Sequence, residues 1–342
     1  MSRTLFLDDA PGERRGVVLL HGLPERLLIA RAGDSALAPG IRAVGRVRRI
    51  ERGQRLAFVE LPDGPDGAFA LSGEAADLTE GARVEVTVAS AAHAEKGPGL
   101  RLIGPAEGAP RMLTAPPLLE AQLGAFSDTD IITGPRARAV ADEAEDEALA
   151  TTHRLQGGGR LHIESTHALV AIDVDIADAR GAEPRRLAAN LNALAIGHAA
   201  RLLRLKQLSG LIAIDLAGKG HDGARLLEAA RAGFAPDQPG VVFGPISRFG
   251  VMEMSLPRHA APVRERLCGA DGAPSVLTWA LRLLRAIERA AGPGDFIKAF
   301  APPEVVHEAQ RLAPQLVARI GARFTVECDP ALPRSGSRIA PK

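Results

Sequence analysis

Aromatic side chains are scarce in this sequence, which has ten phenylalanines, one tryptophan and no tyrosine. Few stacking platforms are available, and each phenylalanine has to be placed individually. Cysteine is nearly absent too. Cys268 and Cys328 stand far apart without metal-ligand spacing, which excludes a disulfide scaffold and suits reduced thiols in a cytoplasmic protein. No stretch approaches the ~18 apolar residues of a membrane span. The start, MSRTLFLDDAPGERRG, has no apolar run of signal-peptide length. These absences predict a cytoplasmic protein with no membrane partner. Nor does one sign of charge prevail, because 42 lysines and arginines oppose 41 acids for a net charge of +1. Any surface for a polyanion must come from local clustering.

What is there is globular, with 46% hydrophobic and 24% charged residues, and 342 residues exceed one ordinary core. Apolar runs and turn residues alternate over residues 3–8 and 16–31, with HGLPER between VVLL and LLIA, which predicts short antiparallel strands and a hairpin. Between Ile41 and Ile103 come IRAVGRVRRI, RLAFVEL, GAFAL, ARVEVTVAS and LRLIG, spaced by glycine, proline and aspartate as in a small five-stranded barrel of the OB type. From Pro105 to Gly159 the chain is rich in proline, alanine and acids, with a helix predicted through ARAVADEAEDEALATTH. Residues 160–218 read as strand, long helix, strand. In that helix Leu187, Leu191, Leu194, Leu202 and Leu205 share one stripe, which predicts packing on a sheet. The runs VVFGPIS and VMEMSL extend the sheet, and RERLCGADGAPS reads as a linker to a small α, β, α, β unit with a loose polar tail.

Asp173 and Asp175 stand two apart at the end of one apolar strand, so they point to the same face, and Asp215 ends the next strand of the unit. If those strands are parallel neighbours, their carboxyl ends lie together, where ligands bind such sheets. Converging carboxylates repel one another, and a hard divalent cation that also takes substrate phosphate is the natural partner. Spacing alone also suits the plainer alternative of acids that cap loops in water.

The runs GGGRLHIESTHALVAIDVD, NLNALA, RLLRLKQLSGLIAID and SRFGVMEMS resemble, in order and spacing, the catalytic signatures of the ribonuclease E/G family. The resemblance implies a magnesium-dependent endoribonuclease, with manganese as the alternative ion, that hydrolyses single-stranded RNA and leaves 5′-phosphate products. It makes Asp173 and Asp215 the metal ligands and Asp175 the counterpart of a nearby family asparagine. Phe58 and Phe69 in the barrel are implied to contact RNA, together with Lys96, Asn192, Arg201, Arg204 and Arg248. The architecture implied is α+β and multidomain. Residues 1–38 and 105–165 are the two parts of a ribonuclease H-like layer, the second shortened, around an inserted barrel at 39–104. A DNase-I-like catalytic layer spans 166–265, a linker 266–274 and a small C-terminal domain 275–342.

The sequence departs from the family in three places. Its paired-cysteine zinc link is reduced to Cys268, so no zinc and no zinc-linked tetramer are expected, while a homodimer stays open. No segment matches the family's 5′-end sensor. The second acid after Asp215 is missing from DLAGKG, and His167 replaces a glutamate, which keeps a weak or inactive RNA-binding relative as the alternative. A further rival is a dinucleotide-binding enzyme through GKGHDG at 218–223, although its required acid some ~20 residues on falls on Asp237 in a proline-rich turn. The histidines, His162, His167, His198 and His221 among them, lack metal-site spacing and read as core or surface residues.

Overall fold

The opening alternation builds three antiparallel strands, Arg3–Ala10, Glu13–Leu20 and Leu23–Arg31. In the computed structural model, which describes residues 3–92, 96–156, 158–176, 184–237 and 240–341, the second turn of this meander is only His21 and Gly22. Both lie at positive φ, 51° and 82°, the sign a type I′ turn needs if its twist is to match the flanking strands. The expected hairpin is thus present, and of HGLPER only these two residues form its turn. Pro24 belongs to the third strand and is tolerated because that strand is a sheet edge. A fourth strand, Ile131–Ile132, returns from beyond residue 105 to pair in parallel with Arg3–Ala10.

The five runs between Ile41 and Ile103 form Arg42–Glu51, Leu56–Glu60, Gly67–Ala70, Arg83–Ser90 and Gly99–Pro105. The first pairs with the second and the fourth, the second with the third, the third with the fifth, and the fifth with the fourth, so the sheet closes on itself. Inward positions alternate along each strand, and Val47, Ala57, Val59, Phe69, Val84 and Val86 fill the interior.

The central sheet has six strands in the order Thr152–Arg154, Arg160–Ser165, Val170–Asp175, Gly210–Asp215, Val251–Leu256, Val242–Ile246. Val170–Asp175 and Gly210–Asp215 pair in parallel, and the other neighbours are antiparallel. A parallel link needs a crossover, supplied by the Pro184–Lys206 helix. That helix is not buried along the leucine stripe alone. Leu191, Leu202 and Leu205 are buried, but Leu194 is 47% exposed, and Ala195, Ile196, Ala199, Ala200 and Leu203 carry the rest of the buried face. The Leu187 side chain lies outside what is described. The face is broad because the helix packs against the edge strand Leu23–Arg31 as well as against the central sheet.

The C-terminal unit has the expected α, β, α, β order: Val276–Ala290, Ile297–Ala301, Pro303–Ile320 and Phe324–Cys328. Its tail is not loose, since Arg338–Pro341 adds to the sheet as an antiparallel neighbour of Ile297–Ala301. The residues read as a linker fold back on themselves, with Cys268 bridging to Pro274 and the Ser275 amide donating to the Leu267 carbonyl at 2.9 Å. Cys268 and Cys328 are both free thiols. Among the described residues no helix is long and apolar enough to cross a membrane.

A buried ion cluster joins the two ends of the chain. Arg15, with no exposed surface, pairs with Asp8 at 2.6 Å and with Glu145 and Asp142 at 2.8 Å each. Arg285, from the C-terminal unit, reaches the same Glu145 at 3.2 Å and also pairs with Glu13, which Arg31 meets at 2.7 Å. Burial alone would push Glu145 up, but Arg285, Arg15 and Arg282 outweigh it and hold the carboxyl below the usual glutamate range. Glu145 therefore contributes stability above the ordinary glutamate pKa that is lost as pH falls through its depressed folded value. Glu145→Gln should cost about 3–5 kcal/mol in denaturant unfolding at pH 7 and flatten the acid limb of the stability profile. A wild-type acid limb in this variant would contradict the assignment.

Candidate active site

The parallel pairing sets Asp173 directly against Asp215 in register, at the carboxyl ends of neighbouring strands. Alternation explains their common exposure: Ile172, Val174 and Ile214 turn into the core, so the aspartates on either side of them turn to solvent. Neighbouring strands lie about 4.7–4.9 Å apart, close enough for one ion to meet the carboxylates of two residues paired in register. Among the described residues no set of three histidine, cysteine or acidic side chains is assembled around a metal position. A pair of carboxylates with open positions for water and phosphate is nevertheless the donor set that magnesium takes from proteins.

Asp175 lies on the same face two residues on, partly buried, with Arg160 opposite it across the antiparallel pair. The glycine run has its reason here. Gly159, at φ 92°, passes so close to this strand that a Cβ would sit 2.7 Å from the Asp175 carbonyl oxygen. His162 stands opposite Asp173 in the row, and its Nδ1 is 3.1 Å from Thr152 Oγ1. Histidine spacing along the sequence gave no hint of this position, because only the strand register brings it there.

Other candidates are placed differently. Asn192 is fully buried and clamps the loop after Asp215: its Nδ2 donates to the Ala217 carbonyl and its Oδ1 accepts from the Ala217 amide, both at 3.0 Å. Arg201 is buried against Glu147 at 2.7 Å, and Arg204 against Asp237 at 2.7 Å and Glu25 at 2.9 Å. Both arginines are thereby committed to internal partners rather than offered to RNA, because the helix carrying them is covered on a second side by the Leu23–Arg31 strand. Lys206 is likewise turned inward, donating to the carbonyls of Glu147 and Ala148, and burial pushes its pKa down to about 8. In the barrel Phe69 is a core residue, 4% exposed, since the strand alternation turns it inward. Phe58, one step out of phase with buried Ala57 and Val59, is half-buried on the outer face with the Arg49 guanidinium 4.4 Å from its ring centre. Lys96 is exposed in the loop between Ser90 and Gly99.

Arg248 is exposed in the turn that leads into Val251–Leu256, the strand on the far side of Asp215. Its neighbour Phe249, which no spacing pattern singles out, has its ring centre 4.7 Å from the Arg248 guanidinium. Across a cleft, Lys219, Gly220 and His221 of the loop after Asp215 face this turn. The strand order and the position of Asp237 do not suit a dinucleotide site at GKGHDG. Asp237, the acid such a site needs, is engaged with Arg204 and Arg26, and Val242–Ile246 is separated from Gly210–Asp215 by an antiparallel strand.

Residues 137–259 match the sequence pattern described as the Ribonuclease E/G family. Ribonuclease E of Escherichia coli (strain K12) is 38% identical over 152 residues, 40% of this chain and 14% of that protein. Ribonuclease E of Buchnera aphidicola subsp. Acyrthosiphon pisum (strain APS) is 33% identical over 168 residues, 44% of this chain and 18% of that protein. The chain thus covers less than a fifth of the length of these curated relatives. The matched stretch contains the whole Asp173 and Asp215 unit.

The Asn192 clamp predicts that Asn192→Ala leaves the Ala217 amide and carbonyl without their partner, at a cost of about 1–3 kcal/mol. Hydrogen exchange at Ala217 should quicken relative to the strand amides of Ile212 and Ile214. Unchanged protection would show that the loop is held by something else.

Proposed function

We propose that this chain, which matches the ribonuclease E/G family over residues 137–259, is a magnesium-dependent endoribonuclease that hydrolyses phosphodiester bonds of single-stranded RNA to leave 5′-phosphate ends. The observation that carries this reading is the in-register, solvent-facing pair Asp173 and Asp215 at two parallel strand ends. These two carboxylates hold the ion, with manganese as the alternative, and Asp175 orders the same face beside them. Magnesium bound there supplies neutralising charge for the phosphoryl group and a water of lowered pKa. Lys219 and Arg248, which line one cleft formed by the loop after Asp215 and the turn before Val251, steady a phosphate adjacent to the reacting one.

The finer architecture belongs to the same proposal: a ribonuclease H-like layer split around an inserted OB-type barrel, and a DNase-I-like catalytic layer. It is supported by the return of Ile131–Ile132 to the first sheet after the barrel, and by the closed pairing of the five barrel strands. OB-type barrels bind oligonucleotides on their second and third strands and in the loop between the fourth and fifth. Phe58 lies on the second strand and Lys96 in that loop, so the barrel's outer face, and not Phe69, is the surface offered to RNA. Stacking and backbone contacts of this kind select unpaired RNA with little base preference.

One alternative keeps an observation of its own. Leu216–Gly220 lacks a second acid after Asp215, which favours a relative that binds RNA without cutting it. The two readings part in one experiment. Purified protein with magnesium should cleave an unstructured RNA, and chelation should stop it. Asp173→Asn or Asp215→Asn should lower the rate by more than about 100-fold, the upper end of what even outer-sphere partners of a metal cost. RNA affinity should change little. Binding without any magnesium-dependent cleavage by the wild-type chain sinks the enzyme and leaves the binding relative.

A further inference from the structure

Phe249 is 75% exposed, and among the described residues it is the one aromatic side chain open to solvent; the other phenylalanines and Trp279 are buried or half-buried. Leaving so large an apolar ring in water forgoes about 1.5–3 kcal/mol of burial, in a chain that has few such rings. Its place is held by the backbone. Ser247 Oγ accepts from the amides of Phe249 and Val251 at 3.2 Å each, and the Leu216 amide donates to the Gly250 carbonyl at 3.1 Å. The last bond ties the turn to the residue that follows Asp215. Val251 is the direct cross-strand partner of Asp215, so Phe249 lies no more than about 12 Å from that aspartate, a reach of one or two nucleotides.

The ring also has two unlike faces. Arg248 lies against one, 4.7 Å from the ring centre, which leaves the other open. The cleft beyond, of about 840 Å³, is lined by Lys219, His221 and Arg248, with no acidic residue in its lining. An apolar plate backed by a guanidinium and bordered by cations complements a flat base attached to a phosphate.

We infer that Phe249 and Arg248 form a nucleotide subsite beside Asp215, in which Phe249 stacks the base next but one or nearer to the scissile phosphate while Arg248 and Lys219 take its backbone. The inference rests on the endoribonuclease reading and adds to it a specificity-determining position outside the barrel. Stacking is indifferent to hydrogen-bond pattern, so the subsite favours large bases over small ones and orders the strand without reading a sequence.

The test uses short unpaired RNAs carrying 2-aminopurine at successive positions around the cleavage site, bound to the full chain with Asp173→Asn keeping the strand intact. Stacking on Phe249 should quench the probe at one position. Phe249→Ala should abolish that quench and, in the cleaving chain, raise KM about 5- to 100-fold with kcat little changed. Phe249→Trp should restore both and Phe249→Leu neither, a pattern that simple loss of packing does not produce. Equal quenching and equal KM in Phe249→Ala, in a chain that still cleaves, overturn the subsite and leave the endoribonuclease standing. A wild-type chain that neither binds nor cuts RNA overturns both.

Discussion

Strands Val170–Asp175 and Gly210–Asp215 run the same way, so the chain between them has to leave one end of the sheet and return to the other. The Pro184–Lys206 helix makes that journey, and its route decides what surrounds it. On one side it meets the central sheet, on another the edge strand Leu23–Arg31. A helix covered from several directions cannot leave its charged residues in water, and each one inside needs a fixed partner. Arg201, Arg204 and Lys206 find theirs in Glu147, Asp237 and Glu25, and the carbonyls at the end of the Pro135–Leu149 helix. The parallel pair thus aligns the two aspartates and also fixes the charge pattern behind them.

A second constraint ties the outer pieces to this centre. Arg15 and Glu145 sit where the first sheet, the Pro135–Leu149 helix and the Val276–Ala290 helix meet, and the carboxylates and guanidiniums there are shared among all three. Such a cluster adds less to net stability than its short distances suggest, because desolvation offsets much of the attraction. Its effect is on geometry: with every buried charge matched, few other arrangements of the three elements leave none unpaired. The C-terminal unit is consequently seated against the first sheet and the Pro135–Leu149 helix, and its final strand pairs with the free edge of Ile297–Ala301.

Much of this was legible in the residues. Period-two runs separated by turn residues marked all five barrel strands, and apolar strands ending in aspartate marked the parallel pair. What misled were features that look alike until a second surface arrives. Phe58 and Phe69 both follow small residues in short strands, and only the register of Leu56–Glu60 with Gly67–Ala70 separates the outer ring from the inner one. The leucine stripe names one face of a helix that is buried on more than one, so Leu194 within the stripe is exposed while Asn192 and Arg204 outside it are buried. Arg338–Pro341 has too few residues to announce a strand and becomes one because Ile297–Ala301 has a free edge. Phe249 belongs to no spacing pattern, and nothing in the sequence sets His162 apart from the other histidines or places it opposite Asp173.

The aspartates show where the division falls. The sequence by itself determined that Asp173 and Asp215 each end an apolar strand and that Asp175 shares a face with Asp173, because alternation along a strand is a local property of the backbone. Which strand lies beside which, and at what offset, depends on contacts between distant residues that no local pattern contains. Tertiary structure alone therefore decided that the two carboxylates are neighbours in register, that Arg201 and Arg204 are spent on internal acids, and that an exposed phenylalanine stands in the turn before the strand next to Asp215.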